Sequence, residues 1–228
     1  MTVTIHQPCY LPWLGYFDRM ATADIFVLLD TVPMSGVDRE NFVNRNRIRA
    51  PGKAGEEGEC RWLTIPLERK GLLRSPIRDV CVSQDIDWQR KHLNSLQASY
   101  GKTPGWKKHR EFFKSFYSCT TDKLQNVLLP QIYYLAWKFS IPARLILASK
   151  LEVRGSGSQL LLDICHELGA KTYLSGPFGC QYLDLARFKG CGVEVRFHDY
   201  RPPAVALTKD GFALSAVDWL FRNGESLP

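Results

Sequence analysis

Residues 3–30, VTIHQPCYLPWLGYFDRMATADIFVLLD, constrain the fold more than any other stretch of the chain. A short apolar run (Val3–Ile5) leads into a turn rich in His and Pro, then one helical segment, then a second apolar run (Ile25–Leu29). Two apolar strands joined by a single helix predict a βαβ unit, with parallel strands and a right-handed crossover. In open parallel sheets, ligands bind outside the carboxyl ends of the strands. That rule puts His6 and Asp30, the first polar residues after each strand, on one rim, and both are expected to be catalytic. Pro8 and Pro12 stiffen the turn between them, and Gly15 permits a close approach. Gln7 and Tyr10 in this turn are expected ligand contacts. Cys9 is a candidate nucleophile, a role that requires a neighbouring base.

Strand and helix alternate again from Arg144. Residues 144–149, 171–176 and 192–198 read as strands, with helices over 156–168 and 215–221. The expected fold is therefore α/β, a mostly parallel Rossmann-like sheet flanked by helices. Residues 61–67 and 79–83 also read as strands. Residues 84–140 are nearly all helical in pattern and are expected to form a helical insertion or lid within a single domain spanning 1–228. Pro130 is expected to kink or split the last of those helices. Five candidate strands end in a small or ionisable polar residue: His6, Asp30, Ser149, Ser175 and His198. If the strands are parallel neighbours, all five share one rim. The Ser175–Gly179 loop can offer backbone N–H groups to an anion. Ser175, Gly176 and the nearby Tyr182 are accordingly expected to contact ligand.

A net charge of +7 favours acidic partners such as nucleotides or phosphates. Basic residues cluster in 39–49, 69–78 and 102–114. The first cluster lies in a polar segment, Thr31–Glu59, that contains Gly36, Gly52, Gly55 and Gly58 and reads as a loop. At its centre, Arg45, Asn46 and Arg47 combine planar bidentate donors with an amide, a set suited to phosphate or carboxylate. Seven cysteines without a C-x-x-C pair argue for reduced thiols, and no metal site is expected from them. No apolar run is long enough to span a membrane, and Met1 leads directly into a strand without a signal-peptide pattern, so a cytoplasmic protein is expected. The chain carries no aromatic-basic motif of the RNA-binding type, which argues against nucleic acid as a partner.

The string HQPCYLPWLGYF, followed by NRNRI, RWLTIP, YLSGPFGCQYLD and SAVDWLFRNG, resembles the WbqC-like family, named after a gene of bacterial O-antigen clusters. The blocks run in family order from Ile5 to Gly224. The resemblance implies a role in surface-polysaccharide or related sugar biosynthesis. In that context the expected activity is transfer of an acyl or aminoacyl group to the amine of a nucleotide-linked amino sugar. His6 would act as general base, with Arg45 and Arg47 on the phosphates and an acyl or aminoacyl carrier protein as a conceivable partner. A second reading is nucleotidyl or adenylyl transfer, which would need Mg²⁺ with Asp30 as its ligand. The layout is similar to that of HxGH-type nucleotidyltransferases, yet here the order is His-Gln-Pro and no second histidine follows. A third reading is a non-enzymatic module that binds RNA or an acidic carrier through the basic clusters.

Overall fold

The computed structural model describes residues 1–34, 42–52, 59–69 and 74–228. Gly36, Gly55 and Gly58, and parts of the 39–49 and 69–78 basic clusters, lie outside them. In chain order the elements are β1 (Thr2–His6), α1 (Leu14–Ala21), β2 (Ile25–Leu28), β3 (Arg45–Arg49), β4 (Cys60–Thr64), α2 (Trp88–Tyr100), α3 (Pro104–Ser118) and α4 (Leu124–Lys138). They continue with β5 (Arg144–Leu147), α5 (Gly157–Glu167), β6 (Thr172–Ser175), α6 (Leu185–Gly190), β7 (Glu194–Phe197) and α7 (Ala216–Arg222). The chain divides into two units. One comprises Met1–Pro8, Gly15–Val32 and Ile141–Arg201, and the other Cys9–Leu14, Pro33–Ser140 and Pro202–Pro228.

The first unit is built on a five-stranded sheet in the order β5-β2-β1-β6-β7, with every neighbouring pair parallel. This is the Rossmann-like α/β sheet that the sequence predicts. The chain steps outward from β1 to β2 and β5, then returns to add β6 and β7 on the other side. Strand order therefore reverses between β1 and β6, and such a switch point opens a crevice at the carboxyl ends. Inner strand β2 is apolar because both its faces are covered, and all four of its residues are buried, whereas edge strand β7 is largely exposed and carries Glu194 and Arg196. Helix α5 contributes Leu160, Leu161, Ile164 and Cys165 to a core shared with Val3, Ile5, Val27, Tyr173 and Phe188. It stops at Gly169, whose φ of 65° is the left-handed conformation that glycine supplies cheaply after a helix. Helix α6 escaped the sequence reading because it is six residues long and buries only Phe188. Its one local signal is Asp184, which accepts the Arg187 N–H as an N-cap.

The second unit holds the antiparallel pair β3–β4 and helices α2, α3, α4 and α7. Strand β3 corrects the expectation of a loop at 45–49. Asn46 and Ile48 point inward and are fully buried, but a strand whose inward face carries an amide and whose other residues are arginines has no alternating apolar signal. Residues 79–83 are likewise not a strand. Ile77–Asp79 forms a 3₁₀ turn, and Cys81 and Val82 make only isolated bridges. Nor does Pro130 split α4. The residue is exposed, so the carbonyl it leaves without an amide partner can meet water. The cost of about 3 kcal/mol for an internal proline is offset by burial of Leu124, Val127, Leu128, Ile132 and Leu135, at roughly 1.5–3 kcal/mol for each large side chain.

Gln131 on α4 anchors residues 9–11. Its amide nitrogen donates to the Cys9 carbonyl (2.8 Å) and the Leu128 carbonyl (2.6 Å), and its oxygen accepts the Leu11 N–H (3.0 Å). Leu11 sits at φ 42°, a conformation a leucine adopts only when its surroundings impose it. Gln131→Ala leaves buried backbone groups without partners, and we expect it to lower unfolding free energy by about 2–4 kcal/mol in urea titrations, the sum of one or two such losses.

Candidate active site at the carboxyl edge of the parallel sheet

The residues that end the five parallel strands line one edge in the spatial order Ser149, Asp30, His6, Ser175 and His198. On the β5–β2 side, Asp30 is fully buried. Its Oδ1 accepts the Ser149 N–H (2.9 Å) and its Oδ2 the Ser149 hydroxyl (2.7 Å). This carboxylate ties the ends of two strands together. On the other side, the strand register pairs Thr4 with Leu174 and Ser175 with Phe197. Carried on to the strand ends, it aligns His6, Gly176 and His198 in one row across the switch point. Residues in one row of a parallel sheet face the same side.

Helix α1 meets that row with consecutive charges of opposite sign. Arg19 is 6% exposed, and its Nη1 lies 2.6 Å from where a Cβ on residue 176 would stand, so glycine there lets the guanidinium lie in this position. Asp18 Oδ2 lies 2.6 Å from His198 Nε2. Neither charge was singled out in the sequence. The available signal was an arginine three residues beyond Tyr16, on the face of α1 that carries apolar side chains.

His6 is partly buried, with the Tyr16 ring edge-on at 5.1 Å between centroids. Its Nδ1 contacts the Gln7 carbonyl at 2.8 Å. A carbonyl only accepts, so Nδ1 carries the proton and Nε2 keeps the lone pair. Burial and then the Arg19 charge push its pKa down to about 3, against a smaller opposing effect of the Gln7 bond. His6 is thus a neutral acceptor through the whole ordinary pH range. Ser175 is buried with its hydroxyl on the Gly176 carbonyl, and the Gly179 N–H is likewise turned back onto that carbonyl. Tyr182 is 57% exposed just beyond this turn.

The other predicted residues belong to the second unit. Cys9 is buried and its carbonyl is held by Gln131. Tyr10 is fully buried in a chain of hydrogen bonds. His92 donates to the Thr64 carbonyl, so its Nδ1 accepts the Tyr10 hydroxyl (2.9 Å), which in turn accepts from Tyr117. Asn46, also fully buried, donates to the Leu11 carbonyl (2.6 Å). Arg45 and Arg47 lie against one indole, their Cζ atoms 4.6 and 4.5 Å from the Trp62 centroid, and Arg47 also packs 4.3 Å from the Phe212 centroid. Burial lowers the pKa of Arg47 from its usual value. Among the described residues, no group of three or more His, Cys, Asp or Glu could hold a metal ion, and no helix is long and apolar enough to cross a membrane. A cleft of about 370 Å³ near Arg154 and His166 and another of about 310 Å³ near Arg49 and Lys209 are lined by none of the five strand-end residues.

These placements set the outcomes of four substitutions. Gly176→Ala should displace the flexible tip of Arg19 rather than the backbone, leaving Tm within about 2 °C of wild type while weakening anion binding at the edge. Arg19→Gln should raise the His6 pKa above about 3 in an NMR titration, because it removes one of the two causes that lower it. In the second unit, Arg47→Ala should cost about 1–2 kcal/mol through lost stacking, whereas Arg45→Ala should leave stability near wild type and weaken phosphate binding alone, as read by urea titration and by calorimetry with UDP.

No solved structure matches the chain. The uncharacterized protein Rv1507c of Mycobacterium tuberculosis (strain ATCC 25618 / H37Rv) is 25% identical over 246 residues, covering 99% of this chain and 95% of the relative. The model of the WbqC-like protein family matches residues 7–227, a span that takes in four of the five parallel strands, all but β1, and nearly all of the second unit; the chain belongs to that family.

Proposed function

We propose that the protein is a transferase of surface-polysaccharide or related sugar biosynthesis. It moves an acyl or aminoacyl group from an activated donor to the amine of a nucleotide-linked amino sugar. The pathway is what the family resemblance implies, and the acyl chemistry is an inference from that pathway. The observation that carries an anion-handling site is the buried Arg19 guanidinium laid against Gly176 at the β1–β6 switch point, beside a neutral His6. Burial strengthens electrostatic attraction between this cation and a carboxylate or phosphate.

His6 then acts as general base through Nε2, with Nδ1 fixed on the Gln7 carbonyl. A base with a pKa of about 3 is weak, but the state in which it works is the loaded one. Burial is the larger cause of that low value and persists in the loaded state; an anion seated by Arg19 offsets the second cause, the Arg19 charge, and so raises the basicity of His6 by that part alone. Asp30 serves as a strand-end tie, and Arg45 as a phosphate contact. Nucleotidyl transfer ranks second because Asp30, its proposed Mg²⁺ ligand, has both oxygens accepting from Ser149 and no exposed surface.

Thermal shift with UDP-glucosamine, ATP and acetyl-CoA tests the ligand class, since a ligand of the folded state raises Tm. UDP-glucosamine and an acyl donor should stabilise the protein, and product mass should show an added acyl group. His6→Gln should fold and bind normally yet lose about 10²–10⁴-fold in turnover. Turnover at the wild-type level would remove His6 from the chemistry.

A further inference from the structure

The row at the switch point contains a second histidine whose surroundings are the reverse of the first. His198 follows β7 directly, and its backbone N–H donates to the Ser175 carbonyl at 2.8 Å, which keeps it in register with Gly176. Its ring stacks parallel to Tyr200, with the planes 4° apart. Its Nε2 donates to Asp18 Oδ2 at 2.6 Å, a short, charge-assisted contact. The side chain is 10% exposed, and Asp18 keeps 31% of its own surface. Asp18 and Arg19 are successive residues of α1, so one turn of helix sets a carboxylate against His198 and a guanidinium near His6. With one strand between them, the two ring-bearing residues stand about 10 Å apart along the edge. One ring of the row thus lies near a guanidinium, and the other is held on a carboxylate.

We propose that His198, positioned by Asp18, is the general acid of this edge and delivers a proton to the group that leaves the acyl donor. The assignment rests on the acyl-transfer reading above. In the step, the acceptor nitrogen forms a bond to the acyl carbon of a thioester donor, and His6 Nε2 takes the proton that nitrogen sheds. The carbon–sulfur bond breaks with its electron pair going to sulfur, and the sulfur takes the Nδ1 proton of the His198 imidazolium, whose Nε2 stays on Asp18. The products are an amide and a thiol; His6 is left protonated and His198 neutral, and exchange with solvent water returns one proton from the first and one to the second before the next turnover. Asp18 touches neither substrate. It is a positioning residue that holds the ring by Nε2.

A general acid matters in proportion to how poorly the leaving group departs unaided, and that distinguishes it from a residue that merely shapes the site. Acylation of UDP-glucosamine is measured with two donors: acetyl-CoA, and p-nitrophenyl acetate, whose phenolate leaves without help. His198→Gln should lower kcat with acetyl-CoA by about 10²–10⁴-fold and with p-nitrophenyl acetate by less than about tenfold, with KM for UDP-glucosamine unchanged. Asp18→Asn should show the same split at smaller amplitude, and Asp18→Glu should restore part of it. If His198→Gln fails to fold, the partly exposed Asp18 carries the test through that pair of variants. Equal losses with both donors, or no loss with either, overturn the assignment and leave the acyl-transfer reading standing. Failure of the wild-type protein to acylate UDP-glucosamine from either donor defeats that reading, and the assignment with it.

Discussion

Arg19 carries a positive charge to a place with almost no exposed surface, where removing an ion from water costs several kcal/mol unless polar groups or anions surround it. Several local features follow from where that group lies. Glycine at residue 176 lets the guanidinium lie where it does, because a single added carbon would stand 2.6 Å from Nη1 and push the tip of Arg19 aside. His6 is held neutral first by its own burial and then by Arg19, which repels a second cation beside it. The strand order concentrates both at the point where the sheet reverses direction, with the next charge on the same helix, that of Asp18, directed to His198.

Much of this edge was legible in the sequence, and for a simple reason. Each of β1, β2, β5 and β6 carries at least two apolar residues, and β2 nothing else, so these strands stand out, and a polar residue at or just beyond each marks its carboxyl end. The sequence alone therefore places His6, Asp30, Ser149, Ser175 and His198 on one rim. It does not place the charges that give the rim its character. Asp18 and Arg19 sit inside an amphipathic helix, where charged residues ordinarily face water, and only the packing shows that Arg19 turns inward. Strand β3 was illegible for a related reason. Its inward positions include Asn46, held by a backbone carbonyl rather than by apolar contact.

The second unit shows how a basic cluster can be spent on structure. Arg45, Arg47 and Arg49 share one face of β3 by strand alternation. Arg49 is drawn to Asp218 at 3.3 Å, Arg47 lies among the rings of Trp62, Phe212 and Phe42, and Arg45 covers the same indole. A net charge of +7 therefore overstates the number of cations available to an anionic partner. Stacked guanidinium groups retain in-plane N–H donors, so a residue can pack and still recognise phosphate.

Each of the two units is assembled from three separated segments of the chain, and β1 is the extreme case. Its inner neighbour β6 lies 170 residues further on, with Thr4 bonded to the Leu174 carbonyl across that span. At a synthesis rate of roughly 5–20 residues per second, β1 waits on the order of 10–30 s on the ribosome before that partner exists. Through that interval the central strand of the sheet has one open hydrogen-bonding edge, the condition under which nascent chains engage chaperones. The same interleaving means that neither unit corresponds to a continuous fragment. Removing the C-terminal 27 residues, 202–228, would strip the second unit of α7 while leaving every strand of the parallel sheet in the chain.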